Sequence, residues 1–246
     1  GYGPCTTSMI TGSPGSGKSC ILISESAGFI LQGLKVAHYI VSDMEIPHAQ
    51  QLYISRMTGC KITEVESLDK QTFTSSTNLL QNRVYFKTLG ILEKSVPDTC
   101  DDLKNLRQEF NYNAIVIDNI DLLMRHSQEG PHLLELADEM KVPVLLGSSV
   151  RYLPAKTITS TDTKITYPKP LGNFIDNFFR ITRSVRSEDG MLTMRSRFVE
   201  GGDKDCDISI DFLHGFVHEV RDWETGRSFD KNKILNFRRQ SWTSFM

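Results

Sequence analysis

The sequence predicts an α/β fold: a mainly parallel central sheet flanked by helices, with antiparallel strands at the C-terminal end. Three observations predict it. A glycine-rich turn, Gly12 to Ser19 (GSPGSGKS), stands between a β-prone stretch and a long apolar run. Apolar runs of strand length then alternate with helix-length segments as far as Ser149. After a long polar stretch, β-prone segments follow one another with turns between them. The 246 residues, 39% hydrophobic with a net charge near −2, suffice for one sizeable domain, or one with a small appendage.

In chain order, Thr6 to Thr11 is the first strand. Cys20 to Leu31 is a buried helix, and Gly33 supplies its stop. Lys35 to Ser42 (KVAHYIVS) is too short for a helix and reads as a strand. Asp43, Glu45 and Pro47 follow, and Pro47 suits the first turn of a helix to about Met57. The polar stretch Lys61 to Asn82 reads as a helix pair or a helix and loop. Val84 to Leu89 is a third strand, and Pro97 opens a helix through about Phe110 with Asp98 in its first turn, where the dipole favours an acid. Ala114 to Asp118 (AIVID) is a buried strand, since it lacks alternation. Pro131 opens a helix to about Lys141, and Val142 to Leu146 is the next buried strand, ending in Gly147, Ser148 and Ser149.

From Leu153 to Gly172 the chain is rich in Thr, Ser, Pro and Lys and has no hydrophobic period. A loop of this length inside a compact domain is functional or disordered. It carries Lys156, Lys164 and Lys169, with Tyr152 and Tyr167 nearby. The remainder reads as strands at Phe174 to Ile181, Met191 to Val199, Asp207 to Leu213 and Phe216 to Val220. Turns are expected at Glu188-Asp189-Gly190 and from Glu200 to Asp205. Residues 221–246 form a polar, basic tail, read as a flexible end or a docking tail.

The glycine-rich turn fits the P-loop pattern, a glycine, four free positions, then Gly-Lys-Ser. Its glycines allow positive φ and close approach to an anion, and the helix N-terminus behind it favours phosphate. Gly12, Ser13, Pro14, Gly15, Ser16, Gly17, Lys18, Ser19 and Cys20 are therefore the expected nucleotide-binding residues. Lys18 would reach the outer phosphates and the Ser19 hydroxyl would hold Mg²⁺, so ATP and Mg²⁺ are the expected ligands. The bland reading is a glycine-rich surface turn. Asp118, closing an apolar run after a P-loop, resembles a Walker B aspartate that orients Mg²⁺, partly through water; the alternative is a plain strand-end cap.

The order of these segments resembles the RecA-type core, and more narrowly the C-terminal motor domain of DnaB-like replicative DNA helicases. The resemblance covers about Gly3 to Val220. It rests on GSPGSGKS, GLKVAHYIVSDMEIPHAQQLYISRM, AIVIDNIDLLM, KVPVLLGSS, the phenylalanine-rich strand after GNFIDN, and MRSRFVEGG. It implies a motor domain over residues 1–220 and a tail over 221–246. It implies Glu45 as the base that polarises water, with Asp43 as the alternative base and Glu45 then a helix cap. Arg195 and Arg197 match a basic pair that reaches into a neighbouring subunit's site, Arg197 as the arginine finger; solvated edge arginines are the other reading. DNA contacts map to the Arg125-to-Gly130 turn and the Leu153-to-Leu171 loop, with Lys156, Lys164 and Lys169 following phosphates. Ser149 stands where the family usually has a glutamine that senses the γ-phosphate.

The implied protein is an ATP hydrolase and DNA helicase that forms a ring, expected to be a hexamer, on single-stranded DNA. Primase and a helicase loader are further partners the resemblance implies. Competing readings are a RecA/RadA-type recombination, loading or packaging ATPase, and a degenerate P-loop module that only holds nucleotide. No run of about 18 apolar residues would span a membrane, and no secretory signal opens the chain. The scattered Cys5, Cys20, Cys60, Cys100 and Cys206 read as reduced intracellular thiols, which suits the cytoplasm, a host's if the gene is viral or plasmid-borne. Gly1 at the start, with the P-loop close behind, suggests a fragment of a longer chain.

Overall fold

A strand covered on both faces is apolar at every position, and the computed structural model shows which helices cover which face. It describes residues 3–12, 15–41, 44–90, 94–124, 129–149, 175–183, 191–198, 202–211 and 216–219. The strands are β1 (Thr7–Gly12), β2 (Val36–Ile40), β3 (Val84–Thr88), β4 (Ala114–Asp118), β5 (Val144–Ser149), β6 (Asn177–Arg183), β7 (Met191–Phe198), β8 (Gly202–Asp211) and β9 (Phe216–Glu219). The helices are α1 (Lys18–Leu31), α2 (Ile46–Thr58), α3 (Lys70–Arg83), α4 (Val96–Glu109) and α5 (Gly130–Met140). Short 3₁₀ turns cover Ile62–Ser67 and Ile120–Leu122.

All nine strands join one sheet in the order β3-β2-β4-β5-β1-β6-β7-β8-β9. From β3 to β6 the neighbours run parallel, and from β6 to β9 they are antiparallel. The connections from β1 to β2 and β2 to β3 progress toward one edge; those from β3 to β4 and β4 to β5 progress back. Crossovers are right-handed, so reversing direction moves the helices to the other face. Accordingly Ile10, Val36, Ala114, Val116 and Leu145 pack with residues of α1, α2 and α3, such as Leu22, Ile23, Tyr53, Met57 and Leu80. Met9, Ala37, Tyr39, Ile115, Ile117 and Leu146 pack with Leu103 and Leu106 of α4 and Leu133 and Leu136 of α5.

Local chemistry sets the element ends. Gly33, at φ 83°, closes α1: its N–H donates to Ile30 O at 2.9 Å and the Leu34 N–H to Phe29 O at 3.0 Å. Ser95 caps α4 and Asp98 reaches back to its N–H at 2.9 Å, a reciprocal pair that satisfies two orphan donors. The sequence reading misses in three places. β5 starts after Pro143, which lacks an N–H but whose carbonyl accepts from Ile115 at 3.0 Å, and the strand runs on through Gly147 to Ser149. β6 is parallel to β1 and so extends the parallel set. β8 begins at Gly202, opposite Phe198, so the expected Glu200-to-Asp205 turn is mostly strand. The Glu188-Asp189-Gly190 turn, the stretch 150–174 and residues 221–246 lie outside the described residues.

One buried polar group has a cost that depends on pH. His38, in the middle of β2, is fully enclosed. Its Nδ1 shares a 2.9 Å hydrogen bond with the Tyr53 hydroxyl of α2, and the Phe86 ring lies 6.0 Å away. Burial lowers its pKa from 6.5 to about 3. Between those values the unfolded chain binds a proton that the folded chain refuses. Stability from this residue is therefore complete above pH 6.5 and falls as pH drops toward 3. The loss is at most about 1.4 kcal/mol per pH unit. Urea titrations at pH 7, 6 and 5 should show this loss, and His38→Asn, though less stable at pH 7, should show a flatter dependence. An equal slope in both proteins would exclude His38 as the source.

Candidate active site

Residues at the carboxyl ends of β1, β4 and β5 converge on one place, and the topology explains why. The chain leaves β1 toward one face and β4 toward the other, which opens a crevice at that end of the sheet. The turn after β1 has Gly15 at φ 73° and Gly17 at φ 90°, and Gly17 is the N-cap of α1. An L side chain is strained at both. Gly12 is required for a different reason, since a Cβ there would collide with Ser16 Oγ. The turn leads straight into 14 residues of α1, so the helix's first N–H groups face the crevice. Of the expected phosphate-binding residues, Gly12 and Gly15 to Cys20 are seen in this turn; Ser13 and Pro14 lie outside the described residues.

Lys18 is buried, with 8% of its surface exposed, and its Nζ donates to Gly12 O at 3.1 Å. Burial lowers its pKa, while the negative charges of Asp118 and Asp121 work against that shift. Asp118 is just as enclosed, and burial raises its pKa; a hydrogen bond from Ser19 and the charge of Lys18 pull the other way. Each group thus stays charged only because of the other. The close approach of Asp118 to β5 depends on Gly147, its register partner. A Cβ on Gly147 would lie 2.7 Å from Asp118 Oδ1 and 3.0 Å from Leu22 Cδ1. Burial also pushes the Cys20 thiol up to about 11, so it stays protonated.

The donor set suits Mg²⁺. Asp118 Oδ2 and Ser16 Oγ are buried without a hydrogen-bond partner, and the Ser19 hydroxyl adjoins Asp118. Such orphaned oxygens are rare unless something else satisfies them. Among the described residues no cluster of three or more His, Cys, Asp or Glu could hold a metal alone. A hard cation that keeps several waters and phosphate oxygens needs no such cluster.

Glu45 lies beside this site. β2 neighbours β4, with Ile40 opposite Asp118, and the Val41 N–H donates to Asp118 O. Glu45 is the N-cap residue of α2, but only through its backbone: its carbonyl accepts from Ala49 at 3.1 Å and its side chain makes no capping bond. The exposed carboxylate is therefore not consumed as a helix cap, which removes the reason for treating it as one. Asp43 lies outside the described residues.

Sequence reasoning leaves Asn119 and Asp121 without roles, yet they organise the end of β5. Asp121 Oδ1 accepts from Ser148 Oγ at 2.9 Å and its Oδ2 from the Ser149 N–H. Asn119 Nδ2 donates to Ser149 Oγ at 3.1 Å. Ser149 lies opposite Gly12, so the expected sensor position does border the phosphate-binding turn. The signal for this network was short polar residues at both strand ends, too common a pattern to interpret alone. Gly147, a glycine inside an apolar strand, was the more legible clue.

Arg195 and Arg197 are not brought to the turn. They lie on β7, two strands from β1, with Arg195 level with Thr11 and Arg197 with Met9 across β6. Lys156, Lys164, Lys169 and most of the Arg125-to-Gly130 turn lie outside the described residues.

No protein-family model matches the chain, and no curated protein sequence does. Solved structures do. The ATPase domain of one DnaB-like helicase superposes with a TM-score of 0.72 at 14% identity, covering 90% of this chain and 87% of that one. A second DnaB-like replicative helicase, solved with its interactions with primase, gives 0.70 at 13% identity over 90% of this chain. The aligned part is 59% of that helicase's length. The RadB recombinase gives 0.61 at 16% identity, covering 90% of this chain and 93% of that one. The chain therefore has the RecA-type NTPase fold, in the form found in DnaB-like ATPase domains.

Proposed function

We propose that residues 1–220 form the ATPase motor of a ring-shaped DNA helicase, with 221–246 as a basic tail. The observation that carries this reading is the buried pairing of Lys18 and Asp118 beneath the glycine turn, with Ser19 bonded to Asp118 and Glu45 exposed alongside. The groups needed for phosphoryl transfer to water lie within reach of one another. Such transfer asks little covalent chemistry of the protein; it needs positioned water and positive charge on the outer phosphate.

In this mechanism the backbone N–H groups of the turn and α1 bind the phosphates of ATP. Lys18 turns from Gly12 O toward the outer phosphate. Ser19 and Asp118 would hold Mg²⁺, which supplies charge that offsets the phosphates. Glu45 orients water for attack and accepts its proton. Arg197, with Arg195 beside it, completes the site of the next subunit. The position of β7, two strands from the chain's own P-loop strand, supports a role in a neighbour's site. A hexameric ring would thread single-stranded DNA past Lys156, Lys164 and Lys169, with primase and a loader as partners. The setting would be the cytoplasm; no described helix is long and apolar enough to cross a membrane. The similarity to RadB supports a second reading, a recombination, loading or packaging ATPase that shares these residues without processive unwinding.

Replacing Lys18 with alanine should lower ATP hydrolysis by at least about 100-fold, the scale for losing one preorganised charge at a transition state. Steady-state turnover of the purified variant is the check, and near-normal turnover would refute the proposed role. Arg197→Ala should lose hydrolysis while still binding a fluorescent ATP analogue. Mixed with Glu45→Ala, it should regain some activity, because mixed interfaces contain one intact site. No recovery at any mixing ratio argues against a finger acting between subunits. Turnover per subunit should also rise with protein concentration and rise again with single-stranded DNA, less so at high salt. Turnover that is flat in concentration and indifferent to DNA would favour the second reading.

A further inference from the structure

Serine at position 149 is too short to do what the family's glutamine is expected to do, yet the end of β5 is firmly held from elsewhere. Asp121, on the 3₁₀ turn after β4, takes the Ser148 hydroxyl on one carboxylate oxygen and the Ser149 N–H on the other. The same carboxylate is near enough to Lys18 to stabilise its charge. Asn119 seats it: Asn119 Oδ1 accepts the Asp121 N–H at 3.2 Å, and Asn119 Nδ2 binds Ser149 Oγ at 3.1 Å. One acidic group thus links the lysine of the phosphate site with the last two residues of β5.

We propose that Asp121 is a positioning residue that couples occupation of the outer-phosphate site to the carboxyl end of β5. The inference rests on the ATPase reading above and extends it to how the bound state is sensed. With the outer phosphate absent, Lys18 divides its charge between Asp118 and Asp121. An outer phosphate draws Lys18 away, and its negative charge repels the Asp121 carboxylate. Both effects leave Asp121 more fully committed to the Ser148 hydroxyl and the Ser149 N–H. The end of β5 is then held more tightly with a triphosphate than with a diphosphate. The side chain that reads the nucleotide follows β4, and the strand that responds is its neighbour β5.

The test is hydrogen exchange at the Ser148 and Ser149 amides of the full chain, with Mg²⁺ and either ADP or a non-hydrolysable ATP analogue. Binding of each nucleotide is measured separately by fluorescence titration. The Ser149 amide should exchange at least about threefold more slowly with the ATP analogue, a modest share of what a charge-assisted hydrogen bond is worth. Asp121→Asn keeps a side chain of the same shape but removes the charge, and should abolish the difference between nucleotides. Asn119→Ala leaves the carboxylate but loosens its seat, and should cut the difference by about half or more; it also serves if Asp121→Asn does not fold. Tight binding of both nucleotides with equal exchange in the parent protein overturns the coupling and leaves the ATPase reading intact. A full difference retained in either variant does the same. No nucleotide binding at all overturns both.

Discussion

Lys18 and Asp118 lie side by side at the end of the sheet with almost no water around either. Burying one charge costs several kcal/mol, and burying a second of opposite sign offsets that only where the geometry is close and the remaining polar atoms are bonded. Most of the surrounding detail follows from this constraint. Lys18 folds back to the Gly12 carbonyl, Ser19 bonds to Asp118, and Gly147 gives up its side chain so that the carboxylate can fit against β5. Asp118 Oδ2 and Ser16 Oγ nonetheless remain buried without partners. A site this incompletely satisfied is costly to hold empty, and its cost falls when an anion and a hard cation enter together. The energetics of the fold and the proposed chemistry thus agree in direction.

The constraint can be met only because the sheet reverses its winding. Had all crossovers run in one direction, the helices would lie on one face and no crevice would open between the turns after β1 and β4. The reversal requires two separate cores, and the sequence supplies both through the alternation within each central strand. In β4, Val116 faces α1 and its neighbours while Ile115 and Ile117 face α4 and α5. His38 is the exception on the first face. It occupies a position where an apolar residue would be stable at any pH, and ties β2 to α2, the helix that begins at Glu45, through Tyr53. The bond between strand and helix therefore also limits where Glu45 can sit.

The fold was legible wherever one physical rule dominated. Apolar runs too short for helices marked β1, β2 and β4, and glycine or proline marked the ends of α1 and the starts of α2, α4 and α5. It was less legible where pairing decides. Nothing in Asn177–Arg183 announces that its neighbour is β1, because a parallel partner more than 160 residues away leaves no local trace. The start of β8 was hidden for a similar reason: Gly202, Asp203 and Asp205 are turn-forming residues, yet the ladder to β7 enlists them. In the site, the P-loop could be identified from spacing alone, since its chemistry needs residues adjacent in sequence. The contacts of Asp121 with Ser148 and Ser149 join residues 27 and 28 positions apart, which no spacing rule detects.

That difference bears on how the departure at position 149 should be understood. Judged by one residue, a serine in place of a glutamine is a loss, because a two-atom side chain cannot span the distance from a strand end to a phosphate. Judged by the contacts, the strand end is bonded through the Ser148 hydroxyl, the Ser149 N–H and the Ser149 hydroxyl, all to the turn after β4. Hydrogen bonds to a carboxylate are roughly twice as strong as neutral ones, so Asp121 holds its two partners more firmly than an amide could. It also carries a charge, which a glutamine does not, and charge acts over a distance without touching the ligand. A short residue at the strand end and an acid on the adjoining turn are therefore parts of one arrangement, and neither can be understood from its own position in the sequence.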